Sequence, residues 1–202
     1  MTSVDDIAVR RLGQRDYVPT LERMRTFTAA RTEATPDELW LLQHPAVYTL
    51  GQGAAAVAVP VGIPLVKSDR GGAITYHGPG QVVLYALVDL ARRGITVKRY
   101  VTLLEEAVID LLGGRGERRP GAPGVYVAGA KLAALGIRVR RGCAYHGLSL
   151  NVDMDLAPFR AIDPCGHPGL AVTQLKDLGL EATVDEAGEA LVQHFMRGLE
   201  NA

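Results

Sequence analysis

The feature that most constrains the fold is a series of short apolar runs, separated by tight glycine-containing turns, between residues 64 and 153. Runs rich in β-branched and aromatic residues between Gly and Pro positions are typical of β-strands. The predicted strands here are PLVKS (64–68), AITYH (73–77), QVVLYALVDL (81–90), GVYVAG (124–129), AKLAA (130–134), IRVRR (137–141) and YHGLSLNVD (145–153). Tight turns join the last four, which predicts an antiparallel set.

Three other stretches have the apolar spacing of amphipathic helices. The first begins at Tyr17 and ends near Ala34, and the second covers 97–111 before a Gly-Gly pair. The third is C-terminal, where Thr183 and Glu186 form a predicted capping box. Its apolar face includes Ala187, Leu191 and Phe195.

Two further strands are predicted at 7–12 and 38–43, and the alanine-rich stretch 53–59 is predicted to be a loop. Many strands with a few flanking helices indicate a mixed α/β (α+β) fold. The length of 202 residues, without an internal repeat or a low-complexity linker, predicts a single domain over residues 1–202.

Composition excludes several function classes. The formal net charge is zero, which gives no electrostatic footprint for nucleic acid. The N-terminus carries acidic residues where a signal peptide would be positive, and polar and proline residues interrupt the uncharged stretch 39–66. With only two cysteines, no disulfide framework is expected. The sequence therefore predicts a soluble cytoplasmic protein that binds neither nucleic acid nor membrane.

The segment DRGGAITYHGPGQ (69–81) is the first candidate binding site. Glycines at its two turns free backbone N–H groups to face a ligand, and Arg70 adds a positive charge. The alternatives are a phosphate-binding loop or two hairpin turns with a solvated arginine. The pattern matches neither G-x-G-x-x-G nor a P-loop, so the nucleotide signal is weak.

Two cysteines and two histidines supply the ligand types of a zinc site, but their spacing is unusual. Cys143 and His146 are C-x₂-H, while Cys165 and His167 are C-x-H. Neither matches a paired zinc knuckle. Positions 143 and 146 would also point to opposite faces of a strand. No metal site is expected, and His44 and His194 are interpreted as structural or exposed.

Cys165 is a candidate nucleophile because Pro164 and Gly166 place it in a defined turn. Most free cysteines are inert hydrophobes, and only a thiolate attacks, so Cys165 needs a neighbour that lowers its pKa. The candidates are His77, His146, His167 and Lys131. Lys131 is the only charged residue between Val125 and Ile137, although a solvated hairpin lysine fits as well. Spacing does not choose among these candidates.

Four segments in this order resemble the lipoyl (octanoyl) transferases of lipoate assembly. They are LLQHPAVYTLGQG (41–53), RGGAITYHGPGQVVLYALVDL (70–90), PGVYVAGAKLAALGIRVRRGCAYHGLSLNVDMDL (123–156) and IDPCGHPGLAVTQL (162–175). The resemblance implies the mixed α/β fold of biotin and lipoate protein ligases, Cys165 as the nucleophile, and Lys131 as the group that lowers its pKa. The substrate-binding residues that it implies are Arg70, Gly71, Gly72, Ala73, Ile74, Thr75, Tyr76, His77, Ala134, Leu135, Gly136, Gly147, Leu148 and Ser149. Ala73 and Asp163 depart from the family's usual residues.

The resemblance also implies the reaction. Acyl carrier protein donates an octanoyl (or lipoyl) group to the cysteine, and a lysine of a lipoyl domain accepts it. The acceptors would be the lipoyl domains of 2-oxoacid dehydrogenase E2 subunits and the glycine cleavage H protein. A thioester is already activated, so neither ATP nor a cofactor is expected.

An apolar tunnel would select the acyl chain, because each buried methylene contributes about 0.8 kcal/mol. Gly71, Gly72, Tyr76, Leu135 and Gly147 are expected to line it, and Gly147→Leu is expected to favour shorter chains. The arginines at 138, 140 and 141 are either a docking face for acidic acyl carrier protein or a solvated strand face.

Two alternatives remain. An ATP-dependent ligase of the same fold would use the RGG loop for an acyl-adenylate and would not need Cys165. A non-catalytic lipoyl-domain binder or a zinc-stabilised module would bind normally as a Cys165→Ala variant.

Overall fold

The computed structural model describes residues 7–54, 59–162 and 169–202. The strands are β1 (Ala8–Gln14), β2 (Glu38–Gln43), β3 (Val47–Leu50), β4 (Leu65–Lys67), β5 (Ile74–His77), β6 (Gln81–Asp89), β7 (Glu117–Arg118), β8 (Gly124–Val127), β9 (Ala130–Arg140) and β10 (Cys143–Asn151). The helices are α1 (Tyr17–Ala30), α2 (Leu90–Arg93), α3 (Val97–Leu111) and α4 (Val184–Glu200). Short 3₁₀ helices cover Ala157–Ala161 and Lys176–Leu178.

The larger sheet of the described residues has seven strands in the order β1-β2-β6-β10-β9-β8-β7. Strand β1 pairs in parallel with β2, and the other neighbours are antiparallel. Strands β6 and β10 lie at its centre, which is why both are apolar along nearly their whole length.

Alternation along β6 separates two cores on the two faces of this sheet. Its even-numbered residues from Val82 to Val88 pack with α3 and α4. Its odd-numbered residues from Val83 to Leu87 pack with α1. Helix α4 begins at the predicted capping box, since Thr183 Oγ1 accepts from the Glu186 N–H and the Glu186 carboxylate accepts from the Thr183 N–H.

A smaller sheet in the order β4-β3-β5 carries a third core. In this core Tyr48, Ile74 and Tyr76 pack with Phe159 and Ile162. The turn before β5 is tied to the larger sheet, because the Gly71 N–H donates to the Ile137 carbonyl at 2.9 Å. This connection places the predicted RGG segment beside strand β9.

The mixed α/β fold is confirmed, and most predicted elements are found within a few residues of their expected bounds. Helix α1 ends at Ala30 instead of near Ala34, because Arg31 is extended and its guanidinium binds Asp37 and the Leu87 carbonyl. The predicted turn between AKLAA and IRVRR is wrong, since β9 continues through Gly136. Strand β3 was not predicted.

The uncharged stretch 39–66 contributes β2, β3 and the first residues of β4. Among the described residues, no helix has the length and apolar character needed to cross a membrane. Residues 55–58 of the predicted alanine-rich loop lie outside the described residues.

Candidate active site

Lys131 lies near the start of β9 with only 3% of its surface exposed. Its Nζ donates to the Pro123 carbonyl at 3.2 Å and lies 5.2 Å from the centroid of the Tyr126 ring. The side chain crosses Gly124, where an added Cβ would lie 2.8 Å from Lys131 Cε. Glycine at position 124 therefore leaves the space that the lysine side chain occupies, and Lys131 is not a solvated hairpin lysine.

The backbone of Lys131 binds the chain segment that follows Cys165. The Lys131 N–H donates to the Ala171 carbonyl at 2.8 Å, and the Thr173 N–H donates to the Lys131 carbonyl at 3.0 Å. Residues 163–168, which include Asp163, Cys165 and His167, lie outside the described residues. Ala171 is six positions after Cys165 in the sequence, so Lys131 is bonded to a segment close in sequence to the predicted nucleophile.

A narrow pocket of about 450 Å³, including its opening to solvent, lies between the smaller sheet and strands β9 and β10. Most of the predicted substrate-binding residues line it. They are Arg70, Gly72, Ala73, Thr75, His77, Ala134, Leu135, Gly136, Gly147, Leu148 and Ser149.

Strand alternation separates two of the three remaining predicted residues from this pocket. Thr75 and His77 face it, whereas Ile74 and Tyr76 face the third core with Tyr48. The structure therefore places Tyr76 away from the pocket that it was expected to line. Gly71 borders an adjoining outer cleft of about 800 Å³, which also reaches Pro123.

Gly147 allows β10 to pack closely against β6. A Cβ at position 147 would lie 2.1 Å from the Leu84 carbonyl oxygen on the neighbouring strand. Gly147→Leu would therefore displace the central strands instead of only narrowing the pocket, so this variant does not test chain-length selection.

Arg70, whose positive charge was predicted to face a ligand, lines the pocket, and its 8% exposed side chain is hydrogen-bonded to the protein. Its Nη2 donates to the Thr49 carbonyl at 2.7 Å and to Thr49 Oγ1 at 2.8 Å, and its Nη1 donates to the Gly71 carbonyl. Arg70 thus holds the turn of the RGG segment against β3.

Besides His146, three lining residues were not among the predicted substrate-binding residues, namely Tyr17, Val83 and Tyr85. Tyr17 donates to Ser68 Oγ at 2.7 Å, and Tyr85 bonds His44 Nε2 at 2.7 Å. All three residues lie on the α1 side of the larger sheet. The side-chain alternation of β6 and the helical spacing of α1 were visible in the sequence. Nothing in the sequence indicated that this face of the sheet forms part of a pocket.

Two buried histidines near the pocket are uncharged at neutral pH. Burial lowers the pKa of His44 to about 4, and burial together with the nearby His44 lowers the pKa of His77 to about 3. Both are hydrogen-bonded through both ring nitrogens, His44 to the Arg15 carbonyl and Tyr85, and His77 to Gln81 and, at 3.4 Å, Thr49.

Cys143, the other cysteine, is buried in surroundings that disfavour a thiolate. Burial raises the pKa of its thiol, and its Sγ lies 3.7 Å from the Arg141 carbonyl oxygen. His146, which was considered with Cys143 as a zinc ligand and rejected on spacing, bonds Asp69 at 2.8 Å. Within the described part of the chain, no three His, Cys, Asp or Glu residues are grouped as metal ligands.

The sequence matches the family of the lipoyl protein ligase A/B catalytic domain over residues 16–196. It is 59% identical over 197 residues to an octanoyltransferase of Dechloromonas aromatica, a match that covers 95% of this chain and 96% of the relative. It is 56% identical to an octanoyltransferase of Thiobacillus denitrificans, with 96% and 91% covered.

Solved structures share the fold at low sequence identity. A putative lipoate protein ligase from T. acidophilum superposes with a TM-score of 0.76 at 18% identity, covering 96% of this chain and 85% of that one. A biotin protein ligase from Aquifex aeolicus reaches a TM-score of 0.57 at 11% identity, covering 96% and 69%. These likenesses concern the fold alone.

Proposed function

The chain belongs to the lipoyl protein ligase A/B catalytic domain family, and we propose that it transfers an octanoyl group from a thioester donor to a lipoyl-domain lysine through an acyl-enzyme on Cys165. The curated relatives named octanoyltransferase, which are similar over nearly their whole length, support the reaction class. The donor, the acceptor and the roles of Cys165 and Lys131 belong to the proposal.

The observation that carries this proposal is the position of Lys131. Its amine is buried beside Gly124, and Gly124 pairs with Ala134, which lines the pocket. Its backbone binds residues 171 and 173, which follow Cys165 closely in the sequence. A thioester carbonyl at this end of the pocket would lie near both the amine and the residues that follow the nucleophile in the sequence, Ala171 and Thr173.

In the first step, the Cys165 thiolate attacks the thioester carbon of the octanoyl donor. The bond from that carbon to the donor sulfur breaks, and the ammonium of Lys131 protonates the departing thiolate. The product is an octanoyl thioester on Cys165. One thioester replaces another, so the step needs no ATP.

In the second step, the amine of the acceptor lysine attacks the acyl-enzyme. The neutral Lys131 accepts a proton from the incoming amine, and Cys165 leaves as a thiolate. The amide formed is more stable than the thioester, which drives the transfer. Burial of the acyl tail in the pocket contributes roughly 5 kcal/mol to binding, at about 0.8 kcal/mol per methylene.

We assign octanoyl-acyl carrier protein as the donor and lipoyl domains as the acceptors, in the cytoplasm. The acceptors are the lipoyl domains of 2-oxoacid dehydrogenase E2 subunits and the glycine cleavage H protein. Arg138, Arg140 and Arg141 are candidate contacts for the acidic donor protein, and Arg138 and Arg140 are exposed residues of β9.

The test is the intact mass of the protein after mixing with octanoyl-acyl carrier protein without ATP. We expect one octanoyl adduct, labile to hydroxylamine, in the wild type and in Cys143→Ala, and none in Cys165→Ala. Lys131→Met should form the adduct about 10²- to 10⁴-fold more slowly, as expected on removal of a general acid. Transfer that requires ATP and proceeds in Cys165→Ala would instead identify a ligase.

A further inference from the structure

His146 has an unusual backbone conformation within the central strand β10. Its φ is 62°, in the left-handed region that non-glycine residues rarely adopt. Consecutive side chains of a regular strand point to opposite faces, but Tyr145 and His146 both reach the same carboxylate. Tyr145 Oη donates to Asp69 Oδ2 at 2.7 Å, and His146 Nε2 lies 2.8 Å from Asp69 Oδ1. The strained backbone therefore turns His146 toward Asp69 and the pocket.

The contact with Asp69 determines which nitrogen of His146 carries the proton. Burial raises the pKa of Asp69, but hydrogen bonds from His146, Tyr145 and Arg25 outweigh it and hold the pKa well below its usual range. The ionised carboxylate only accepts, so His146 Nε2 is the donor. Burial also lowers the pKa of His146, so the ring is neutral and Nδ1 is an acceptor.

His146 Nδ1 has no hydrogen-bond partner among residues 7–54, 59–162 and 169–202. The residue is 1% exposed and lines the pocket. Buried acceptors are almost always satisfied, and both ring nitrogens of the nearby His44 and His77 are bonded. A ligand in the pocket that carries a hydrogen-bond donor at this point would satisfy the acceptor.

The pairing of β9 with its neighbours gives the position of His146 in the pocket. The amine of Lys131 lies beside Gly124, which pairs with Ala134, while His146 pairs with Ile137. Three residues of strand separate these two levels, a distance of about 10 Å. An extended eight-carbon chain has about this length. An acyl group that reacts beside Lys131 would thus bring its far end near His146.

We propose that His146 Nδ1 accepts a hydrogen bond from the far end of the acyl chain, so that the pocket also takes medium-chain acyl groups with a terminal hydroxyl or thiol. This inference rests on the proposed function, since it takes the reacting end of the chain to be beside Lys131. His146 is a specificity-determining residue in this assignment and takes no part in the transfer itself.

The experiment measures binding of free acids to the Cys165→Ala variant, so that it does not depend on acyl transfer. The probes are 8-hydroxyoctanoic acid and nonanoic acid, which have the same number of heavy atoms and differ only in a terminal hydroxyl or methyl group. We expect the hydroxy acid to bind about threefold to tenfold more tightly, the range of one net neutral hydrogen bond. Equal binding, or tighter binding of nonanoic acid, overturns the proposal.

Two further variants assign the preference to Nδ1. His146→Phe removes the acceptor and should abolish the preference, whereas Tyr145→Phe removes another partner of Asp69 and should retain it. A preference that survives in His146→Phe overturns the assignment. If His146→Phe does not fold, ¹⁵N spectra of the unmutated His146 test instead whether Nδ1 accepts the hydrogen bond. The Nδ1 resonance should shift with the hydroxy acid and not with nonanoic acid, and an unchanged resonance overturns the proposal.

The two proposals fail in different ways. A hydroxy-acid preference without an octanoyl adduct in the mass experiment would support the role of His146 and contradict the cysteine mechanism. An octanoyl adduct without a hydroxy-acid preference would support the transferase mechanism and contradict the role of His146.

Discussion

Two aspartates, Asp37 and Asp69, each bind several donors, but the partners differ in kind. Asp37 is fully buried and forms ion pairs with Arg31, Arg92 and Arg93. Asp69 is 22% exposed and binds one arginine, Arg25, together with a tyrosine and a histidine. The first group contains only charged side chains, whereas the second includes a neutral ring that lines the pocket.

The same balance of forces acts on both carboxylates. Burial raises the pKa of Asp37, but the Asp89 N–H and the guanidinium groups of Arg93 and Arg31 outweigh it and lower that pKa. Asp69 is likewise held in its ionised form. The comparison shows that a lowered aspartate pKa does not by itself mark a functional site. What separates the two is that Asp69 orients a ring on the wall of the pocket, whereas Asp37 binds only arginines and backbone.

The largest effect is expected from Asp37→Asn. It leaves Arg31 and Arg93, whose side chains are 3% and 5% exposed, without a counter-charge. Breaking a buried pair in this way costs about 3–5 kcal/mol. Urea unfolding should show this loss, while the octanoylation rate of the folded fraction stays unchanged. Glu189→Gln is the control, because its pair with Arg11 is exposed and should contribute less than about 1 kcal/mol.

A loss in Asp37→Asn no larger than that in Glu189→Gln would contradict the structural role of the arginine group. A slower octanoylation rate in the folded fraction would instead make Asp37 functional, and the contrast with Asp69 would disappear.

The sequence was sufficient to predict features with local causes. Strand β2 was predicted with its observed bounds, because its apolar residues lie between polar ends, and the Thr183 capping box was recognised from two residues. The small apolar neighbours of Lys131 left a buried and a solvated lysine equally open, and the structure shows that the side chain is buried. The assignment of Lys131 and Cys165 as a pair came from family resemblance and stays a prediction.

Features that depend on distant residues or on backbone conformation were not predictable. Asp69 and His146 are 77 positions apart in the sequence, and their contact requires the positive φ of His146. The sequence pattern of β10 predicts ordinary side-chain alternation at position 146, so it gives no indication of the contact between His146 and Asp69. Gly136 likewise indicated a turn, although in a paired strand it allows β9 to approach Gly71 closely.

The pH dependence of the free energy of unfolding separates the contribution of the aspartates from that of the histidines. His44 and His77 have folded-state pKa values of about 4 and 3, below the unfolded value of about 6.5. Between pH 6.5 and about 4 the unfolded chain therefore binds more protons, and the free energy of unfolding falls as pH is lowered. Each histidine contributes up to about 1.4 kcal/mol per pH unit.

Urea unfolding at pH 7, 6 and 5 measures this slope. His44→Gln should reduce it, while His194→Gln, which alters a more exposed histidine on α4, should change it much less. The carboxylates act in a lower window. Because their pKa values are lowered by folding, their stabilisation is complete above about pH 4 and is lost as pH falls through the folded value. A flat profile from pH 7 to 5 would contradict the neutral, buried state of the histidines.

The smallest change in stability, about 1–2 kcal/mol, is expected from Asp69→Asn, since this site is partly exposed and keeps its polar partners. The substitution has a larger effect on His146, because it changes which ring nitrogen carries the proton. Tyr145 and Arg25 both donate to Oδ2, so the oxygen of the introduced amide would be required at that position, and the amide nitrogen would face His146 Nε2. Nε2 would then have to accept, and the proton would move to Nδ1.

The ¹⁵N spectrum of the histidines measures this change directly, because protonated and unprotonated ring nitrogens resonate at different positions. In the wild type Nδ1 of His146 should be unprotonated, and in Asp69→Asn it should be protonated. The variant should then lose its preference for 8-hydroxyoctanoic over nonanoic acid only in part, because a hydroxyl oxygen also accepts from the new donor. An unprotonated Nδ1 in Asp69→Asn would show that Asp69 does not set the tautomer, and the two aspartates would then differ only in the number of their arginines.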